Sequence, residues 1–593
     1  MGNDIPAGGS FMVEKAGTRR IFTPEDFSDE QKAMAETASK FCLNEMLPQK
    51  EQIDHKEEGL VVSITKKAGE LGLLMLTIPE EYDGLGMDKT TFVLVSESLA
   101  PEASSFITIA AHTCIGTQPL IFFGNDEQKK RYLPRLGSGE MIAAYALTET
   151  GAGSDAMSCK TRAVLSDDGK YYIINGDKQF ITNGGIADLF TVFARVDGDR
   201  KKFSAFLVER TFPGFSSGVE ENKMGITGSS TTALVFEDCK VPVENLLGQI
   251  GEGGRAAFSV LDMGRLQVGG ACAGGAKWLL KETIQFAKDR QQFNTAIIDF
   301  GMTRRKIADC MALIYATESI AYRSSDLIDK ALEAIPADDP EARKKKIMAI
   351  GNYAPECSVV KAFGSEALDM VADHCLQIYG GYGYIKEYPA EKVYRDSRIN
   401  RIFEGTNEIN RYIIVGSLLR AAMKGKVPIL DFIKQLSKEL EDKNLPKADE
   451  GPLGQAVLAC ELGKRIMFYC TNVAFQKYSD KLIEEQIVSE MLANMAIDCY
   501  CMDSAACRAL QMIEKRGQES SELAVLLTHI ICFEGHARIA DLGRKLLMSV
   551  SEEKDVKKHL KNLEELSEID SFNLIAAKKR VAQIAAEAGE YKV

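Results

Sequence analysis

The chain is 593 residues long, and at ~100–200 residues per domain that is about three to five domains' worth of core. Apolar residues make up 45% and charged residues 26%, the balance of a globular chain rather than a disordered one. Lys and Arg number 72 against 85 Asp and Glu, a net charge of −13, which argues against nucleic acid as a bulk partner but allows a local basic pocket for a phosphorylated ligand.

The first seventeen residues, MGNDIPAGGSFMVEKAG, carry an early Asp and no apolar core, and Pro6 stands where a myristoylation signal needs Ser or Thr. The expectation is a cytoplasmic protein of bacterial type, or a mitochondrial matrix protein had a leader been removed. No run approaches the ~18–20 uninterrupted apolar residues of a membrane span. The 14 cysteines are scattered, with no CxxC and no spaced His, and read as reduced core thiols. No metal site is expected.

Helices come first. Ser28 and Gln31 make a capping box ahead of Ala35, Ala38 and Phe41, and helical stretches continue over 60–73, 90–117 and 126–136. From about 140 to 245 the character turns to strands, as in KYYIING, DLFTVFARV, KFSAFLVE and TTALVFED, and Asp168-Gly169 marks a tight hairpin. After GQIGEGG (Gly248 to Gly254) the helical period returns, with candidates at 253–290, 300–333, 341–380, 407–424, 453–478, 482–515 and 518–549. Gly425 to Gly454 reads as a linker. The domains expected are 1–138 (helical), 139–248 (β), 249–425 (four-helix bundle) and 426–593 (linker and further helices).

Four segments stand out chemically. AYALTETGAGSD (Ala144 to Asp155) breaks into glycines that let backbone approach a ligand, and an ordinary loop is an equal reading. In KQFITNGG (Lys178 to Gly185) strand alternation puts Phe180 and Thr182 on one face, a platform for a flat ring or simply a strand end. DRQQF (Asp289 to Phe293) ends a helix with charge, to meet a diphosphate or only to complement the dipole. In RIFEGTNEI, Glu404 lies between Phe403 and Gly405 ahead of the cap Thr406, and desolvation there would raise its basicity; a Glu at a helix N-terminus is the bland alternative. His112, in an apolar helix, reads as a satisfied core residue, and no GxSxG or HExxH supports a hydrolase.

In this order, with KMGITGSSTTALVFEDCKVPVENLLG and QIYGGYGYIKEYPAEKVYRDSRINRIFEGTNEI, the segments resemble the acyl-CoA dehydrogenase family over roughly residues 28–425. The branch most similar is the very-long-chain one, with a C-terminal helical domain that Lys481 to Ala505 resembles more weakly. The resemblance implies a mainly α fold with a central β-barrel-like domain, a four-helix bundle and FAD between them. Glu404 would be the base. Tyr145, Leu147, Thr148, Gly153, Ser154, Phe180, Ile181 and Thr182 would surround the flavin. Arg290, Gln292, Phe293, Gln377, Gly380 and Gly381 would reach the FAD of a partner subunit, and Thr406, Asn407 and Glu408 would close the cofactor. Ser154, Asp262, Arg265 and Gly405 would touch the acyl-CoA.

Two departures matter. Phe180 stands where the family commonly has Trp, and Gly264 stands where some branches carry their carboxylate, which leaves Glu404 as the base. The expected activity is α,β-dehydrogenation of long-chain acyl-CoA to the trans-2-enoyl-CoA, with electrons passing to an electron-transfer flavoprotein. A same-fold oxidase and a non-catalytic scaffold are the alternatives. A homodimer is expected. The C-terminal block is expected to support dimerisation or peripheral membrane contact, so that a chain ending near Lys426 would keep its FAD. Val427, Ile429, Leu430, Phe432 and Ile433 make an amphipathic stretch suited either to a bilayer surface or to docking on the protein itself.

Overall fold

The capping box forms as its residue types require. The Ser28 hydroxyl accepts from the Gln31 N–H at 3.1 Å and the Gln31 amide accepts from the Ser28 N–H at 3.0 Å, opening the helix Asp29–Phe41. The computed structural model describes residues 5–336 and 338–593, so the first four residues of the segment read for targeting lie outside the described residues. Helices occupy the chain as far as Gly137, including Lys89–Leu99 and Ala103–Ala111, which part at Pro101.

Eight strands follow: β1 (Ala143–Ala146), β2 (Arg162–Leu165), β3 (Tyr171–Thr182), β4 (Leu189–Val196), β5 (Phe203–Glu209), β6 (Phe215–Glu220), β7 (Thr231–Pro242) and β8 (Leu246–Leu247). They form one sheet in the order β6-β7-β3-β2-β4-β5-β8, with β1 parallel beside β4. Asp168-Gly169 turns β2 into antiparallel β3, and Gly169 takes the left-handed φ of +69° that the turn needs. β4 is buried on both faces: Phe190, Val192 and Ala194 enter the sheet's own core, while Leu189 and Phe193 pack with Leu133 and Leu136 of the N-terminal helices.

The bundle behind the sheet is built from Gly253–Asp289, Gly301–Glu333, Ala354–Tyr379 and Asn407–Met423. The single helix expected over 341–380 is two, because the chain restarts at Ala354 with Pro355 in the first turn, where a missing N–H costs nothing. All fourteen cysteines are buried and unpaired. Ala103–Phe123 and Glu519–Val550 are apolar enough to cross a bilayer by length and composition, but 89% and 56% of those windows are buried inside the protein.

The linker reading of Gly425 to Gly454 is corrected. Residues Ile429–Glu441 are a helix whose apolar face docks on the protein: Ile429 and Leu436 are buried, the Phe432 ring lies 4.9 Å from that of Phe468, and Arg465 pairs with Glu439 at 2.8 Å. Of the two readings of this amphipathic stretch, bilayer surface or docking on the protein, the structure has it docked, with Leu430 alone standing exposed among its apolar residues. Two C-terminal helices, Glu553–Leu566 and Leu574–Ala588, lie beyond the last periodicity read from sequence.

The C-terminal helices join the four-helix bundle through charge as well as apolar area. Lys277 binds both Glu97 and Glu318. Arg508, from the C-terminal block, reaches Glu318 at 2.9 Å and Glu25 at 2.7 Å, and Tyr591 donates to Glu318. Beside them Arg323 pairs with Asp503 at 2.8 Å, and Asp503 also accepts from the Gly17 N–H at 3.0 Å. A chain ending near Lys426 would therefore take Asp503 from Arg323 and leave Glu318 with Lys277 alone, which argues against the truncation expected to survive. Breaking one such pair strands the other charge, at about 3–5 kcal/mol. Arg508→Leu should lower the thermal midpoint of the whole chain in a single transition; an unchanged midpoint would show that the two bundles are not coupled there.

Candidate active site

The RIFEGTNEI segment folds as a strained turn. Glu404 and Gly405 both take left-handed φ, at 56° and 79°, and for Glu404 that conformation costs about 1–3 kcal/mol. Three side chains over-determine it. Arg265 Nε donates to the Glu404 carbonyl at 3.2 Å, Lys361 Nζ to the Gly405 carbonyl at 2.7 Å, and Asn410 Nδ2 to the carbonyls of Gly405 and Thr406 at 2.9 and 3.0 Å. Thr406 caps the next helix by accepting from the Ile409 N–H.

The carboxylate itself is left unsatisfied. Glu404 Oε2 is buried with no hydrogen-bond partner. Burial pushes its carboxyl up to about 7, against the pull of Arg265 and Lys361. It abuts the helix Gly253–Asp289 at Gly264, where a Cβ would stand 2.7 Å from Oε2, so only Gly fits without displacing the carboxylate. Two residues earlier in that helix, Asp262 pairs with Arg265 at 2.6 Å, and burial raises its carboxyl to about 6.

Glu404 opens into a cavity of about 1270 Å³ between the sheet and the bundle. Of the residues singled out in the sequence, Tyr145, Leu147, Thr148, Gly153, Ser154, Phe180, Ile181, Thr182, Asp262, Arg265, Glu404, Gly405 and Thr406 all line it. The β side is shaped by a bulge: the β3–β7 register shifts between Lys178 and Ile181, Phe180 takes a φ of 58°, and its ring stands 63% exposed in the cavity. Gly153 presents bare backbone, with nothing within 4 Å of where a Cβ would be. Its loop is anchored from below by a buried pair, Lys178 to Glu149 at 2.9 Å, with Thr161 N–H donating to the same carboxylate at 3.0 Å.

The other predicted residues lie elsewhere. Arg290, Gln292, Gly380 and Gly381 share a separate surface hollow of about 420 Å³, where the Arg290 guanidinium sits 5.3 Å from the Tyr382 ring centre. Gln377 is exposed nearby, and Phe293 stands 90% exposed at the tip of its hairpin. Asn407 lines neither hollow. Its amide is turned into the bundle, accepting from Lys361 at 2.7 Å and donating to Ser365 and Glu366 at 3.0 and 2.9 Å. Glu408 is exposed and also outside both hollows. His112 is a core residue: Nε2 meets the Leu136 carbonyl at 3.0 Å, Nδ1 accepts from the Ala143 N–H at 2.9 Å, and burial lowers it to about 4. Among the described residues no group of His, Cys, Asp and Glu could hold a metal.

Sequence reasoning missed Lys361. A wholly buried lysine in the apolar run SVVKAF was the available signal, since an ammonium is buried only where partners await it. Lys178 and Glu149 lie within the KQFITNGG and AYALTETGAGSD motifs but were not singled out, because their role is to pair with each other beneath the cavity.

Four family profiles match the chain: acyl-CoA dehydrogenase N-terminal domain over residues 28–140, middle domain over 144–239, and C-terminal domains over 251–419 and 463–565. A probable acyl-CoA dehydrogenase of Bacillus subtilis (strain 168) is 41% identical over 590 residues, covering 100% of this chain and 99% of its own. The mitochondrial very long-chain specific acyl-CoA dehydrogenase of Homo sapiens is 34% identical over 536 residues, 83% of this chain and 76% of its own. The crystal structure of an acyl-CoA dehydrogenase complexed with FAD from Bacillus anthracis superposes with a TM-score of 0.97 at 41% identity, covering 99% of this chain and 100% of that one. The cavity fits that cofactor: bare backbone at Gly153, the exposed Phe180 and Thr182 line the same space as Glu404. The chain belongs to the acyl-CoA dehydrogenase family and is an FAD-dependent acyl-CoA dehydrogenase.

Proposed function

We propose that the protein converts long-chain acyl-CoA to trans-2-enoyl-CoA with Glu404 as the base, working as a homodimer and passing electrons to a separate electron-transfer flavoprotein. The observation that carries this reading is the Glu404 carboxylate, buried, unpaired at Oε2 and aimed into the cavity that the flavin residues line. The α-proton of a thioester is a weak acid, so its removal needs a basic group at contact distance in a site from which water is excluded. The flavin's contribution is to accept the β-hydrogen as hydride. Arg265 and Lys361 hold the turn that carries the base, and their positive charge keeps Glu404 ionised at lower pH than burial alone would allow.

The long-chain preference is supported by a second cavity. About 560 Å³ of mostly apolar space, lined by Phe106, Val268, Ala271, Gly275 and Trp278, shares Asn222 and Ile226 with the larger one. Val268, Ala271 and Gly275 follow Gly264 along one face of the same helix, over about 16 Å at 1.5 Å per residue. An extended alkyl chain advancing ~1.3 Å per carbon covers that with about a dozen carbons. The exposed hollow around Arg290 supports the dimer, since a guanidinium sharing a hollow with the bare backbone of Gly380 and Gly381 suits a partner's diphosphate.

Glu404→Gln keeps the size of the side chain and removes the base. Turnover of palmitoyl-CoA should fall by at least ~10²–10⁴-fold with flavin still bound. In the unsubstituted enzyme kcat/KM should rise with pH through about 7, because only the ionised carboxylate accepts a proton and Glu404 is protonated below that value. That limb should vanish in the variant. Undiminished turnover would overturn the assignment.

Gly275→Leu tests the chain-length reading. A Cβ there meets nothing closer than Leu368 at 3.7 Å, so the helix accepts it and the side chain grows into the second cavity. Activity on palmitoyl-CoA should drop while activity on hexanoyl-CoA persists; equal losses on both would place the acyl tail elsewhere.

A further inference from the structure

The large cavity is polarised in a way that the reaction at Glu404 does not use. One face of the helix Asn407–Met423 lines it from end to end, through Ile409, Tyr412, Ile413, Ser417 and Arg420, with Lys424 and Lys426 just beyond. The acids that line it are Glu221, Asp262 and Glu404, and the wall facing the far end of the helix, Met348 to Pro355 with Gly8, is uncharged. Three cations therefore gather at that end, and among the described residues none has an acidic partner. Arg420 donates only to the Ser417 hydroxyl, at 3.0 Å, its guanidinium laid over Gly416. In a chain of net charge −13, such a cluster of exposed cations is a local positive potential at the mouth of a ligand cavity.

The geometry points to Arg420, Lys424 and Lys426 as the site that binds the phosphates of the substrate's 3′-phosphoadenosine diphosphate, a role that rests on the acyl-CoA reading above. The distances suit it. Thirteen residues of helix separate Asn407 from Arg420, about 20 Å. From the thioester, the pantetheine arm spans about four residues' worth of extended chain, ~14 Å, before the diphosphate begins. Arginine and lysine bind phosphate oxygens through charge-assisted hydrogen bonds. Cations in a last turn also complement the helix dipole, which would account for Arg420 and Lys424. It does not account for Lys426, which lies past the helix end and is held there by its neighbour Val427, buried in the core. The C-terminal block thereby anchors one residue of the substrate cavity.

The test is the triple variant Arg420→Met, Lys424→Met, Lys426→Met, prepared as full-length holoenzyme. Calorimetric titration with adenosine 3′,5′-bisphosphate, which needs no turnover, should show binding to the unsubstituted enzyme and at least about tenfold weaker binding to the variant. KM for octanoyl-CoA should rise to match and lose most of its salt dependence, while KM for octanoyl-pantetheine, which has no phosphates, should hold. Equal losses on both thioesters would mean a structural role, and unchanged binding of the bisphosphate would mean no role. Loss of flavin from the variant would assign the cations to the cofactor's diphosphate instead. Any of the three overturns the proposal, and none of them bears on whether the unsubstituted enzyme oxidises octanoyl-CoA.

Discussion

The left-handed turn at Glu404 and Gly405 is the constraint around which the rest is arranged. It carries a carboxylate to the wall of the cavity and leaves Oε2 buried without a partner, a state that relaxes unless the backbone is pinned. The pins come from three helices: Arg265 from Gly253–Asp289, Lys361 from Ala354–Tyr379, and Asn410 from the helix that the turn itself opens. Each constrains its own surroundings. Gly264 must lack a side chain because the carboxylate occupies that space. Lys361, fully buried and lowered to about 8 by that burial, is tolerable because two neutral acceptors and the Glu404 charge lie beside it.

Support continues outward into parts of the chain that carry no chemistry. The N-terminal segment runs over both bundles, with the Gly9 N–H on Glu356 at 2.7 Å and the Ala16 N–H on Glu461 of the C-terminal block. Ile21 exchanges backbone hydrogen bonds with the Gln511 amide in the same region. Gly8, in that segment, lines the catalytic cavity. The segment around Gly8 thus lies between the cavity and the C-terminal block, and the buried Arg508–Glu318–Lys277 chain fixes that block to the bundle.

Much of this was legible in the sequence, and the remainder failed for identifiable reasons. Local devices read well: the Ser28 capping box, the Asp168-Gly169 turn and the Thr406 cap each depend on neighbours two or three residues away. Thirteen motif residues fall around one cavity because motifs mark where backbone meets ligand. Asn407 shows the limit, since a place in a motif says nothing of which way an amide turns. The amphipathic start of the helix Ile429–Glu441 was legible, but the prolines and lysines flanking it hid its extent, and sequence alone did not decide between a bilayer and the protein's own surface. Lys361, Lys178 and Glu149 were invisible because each is justified only by a partner distant in sequence, 44 residues away for Lys361 and Gly405.

The central claim is that Glu404 and the surrounding cavity make an acyl-CoA dehydrogenase whose substrate site is complete in the folded chain. Anaerobic titration of the purified holoenzyme with a ladder of acyl-CoAs, following flavin absorbance, tests it most directly. The account predicts bleaching on addition of palmitoyl-CoA, with formation of the trans-2-enoyl thioester and weaker responses to the shortest chains. A flavin that stays oxidised under every acyl-CoA in the ladder would contradict it.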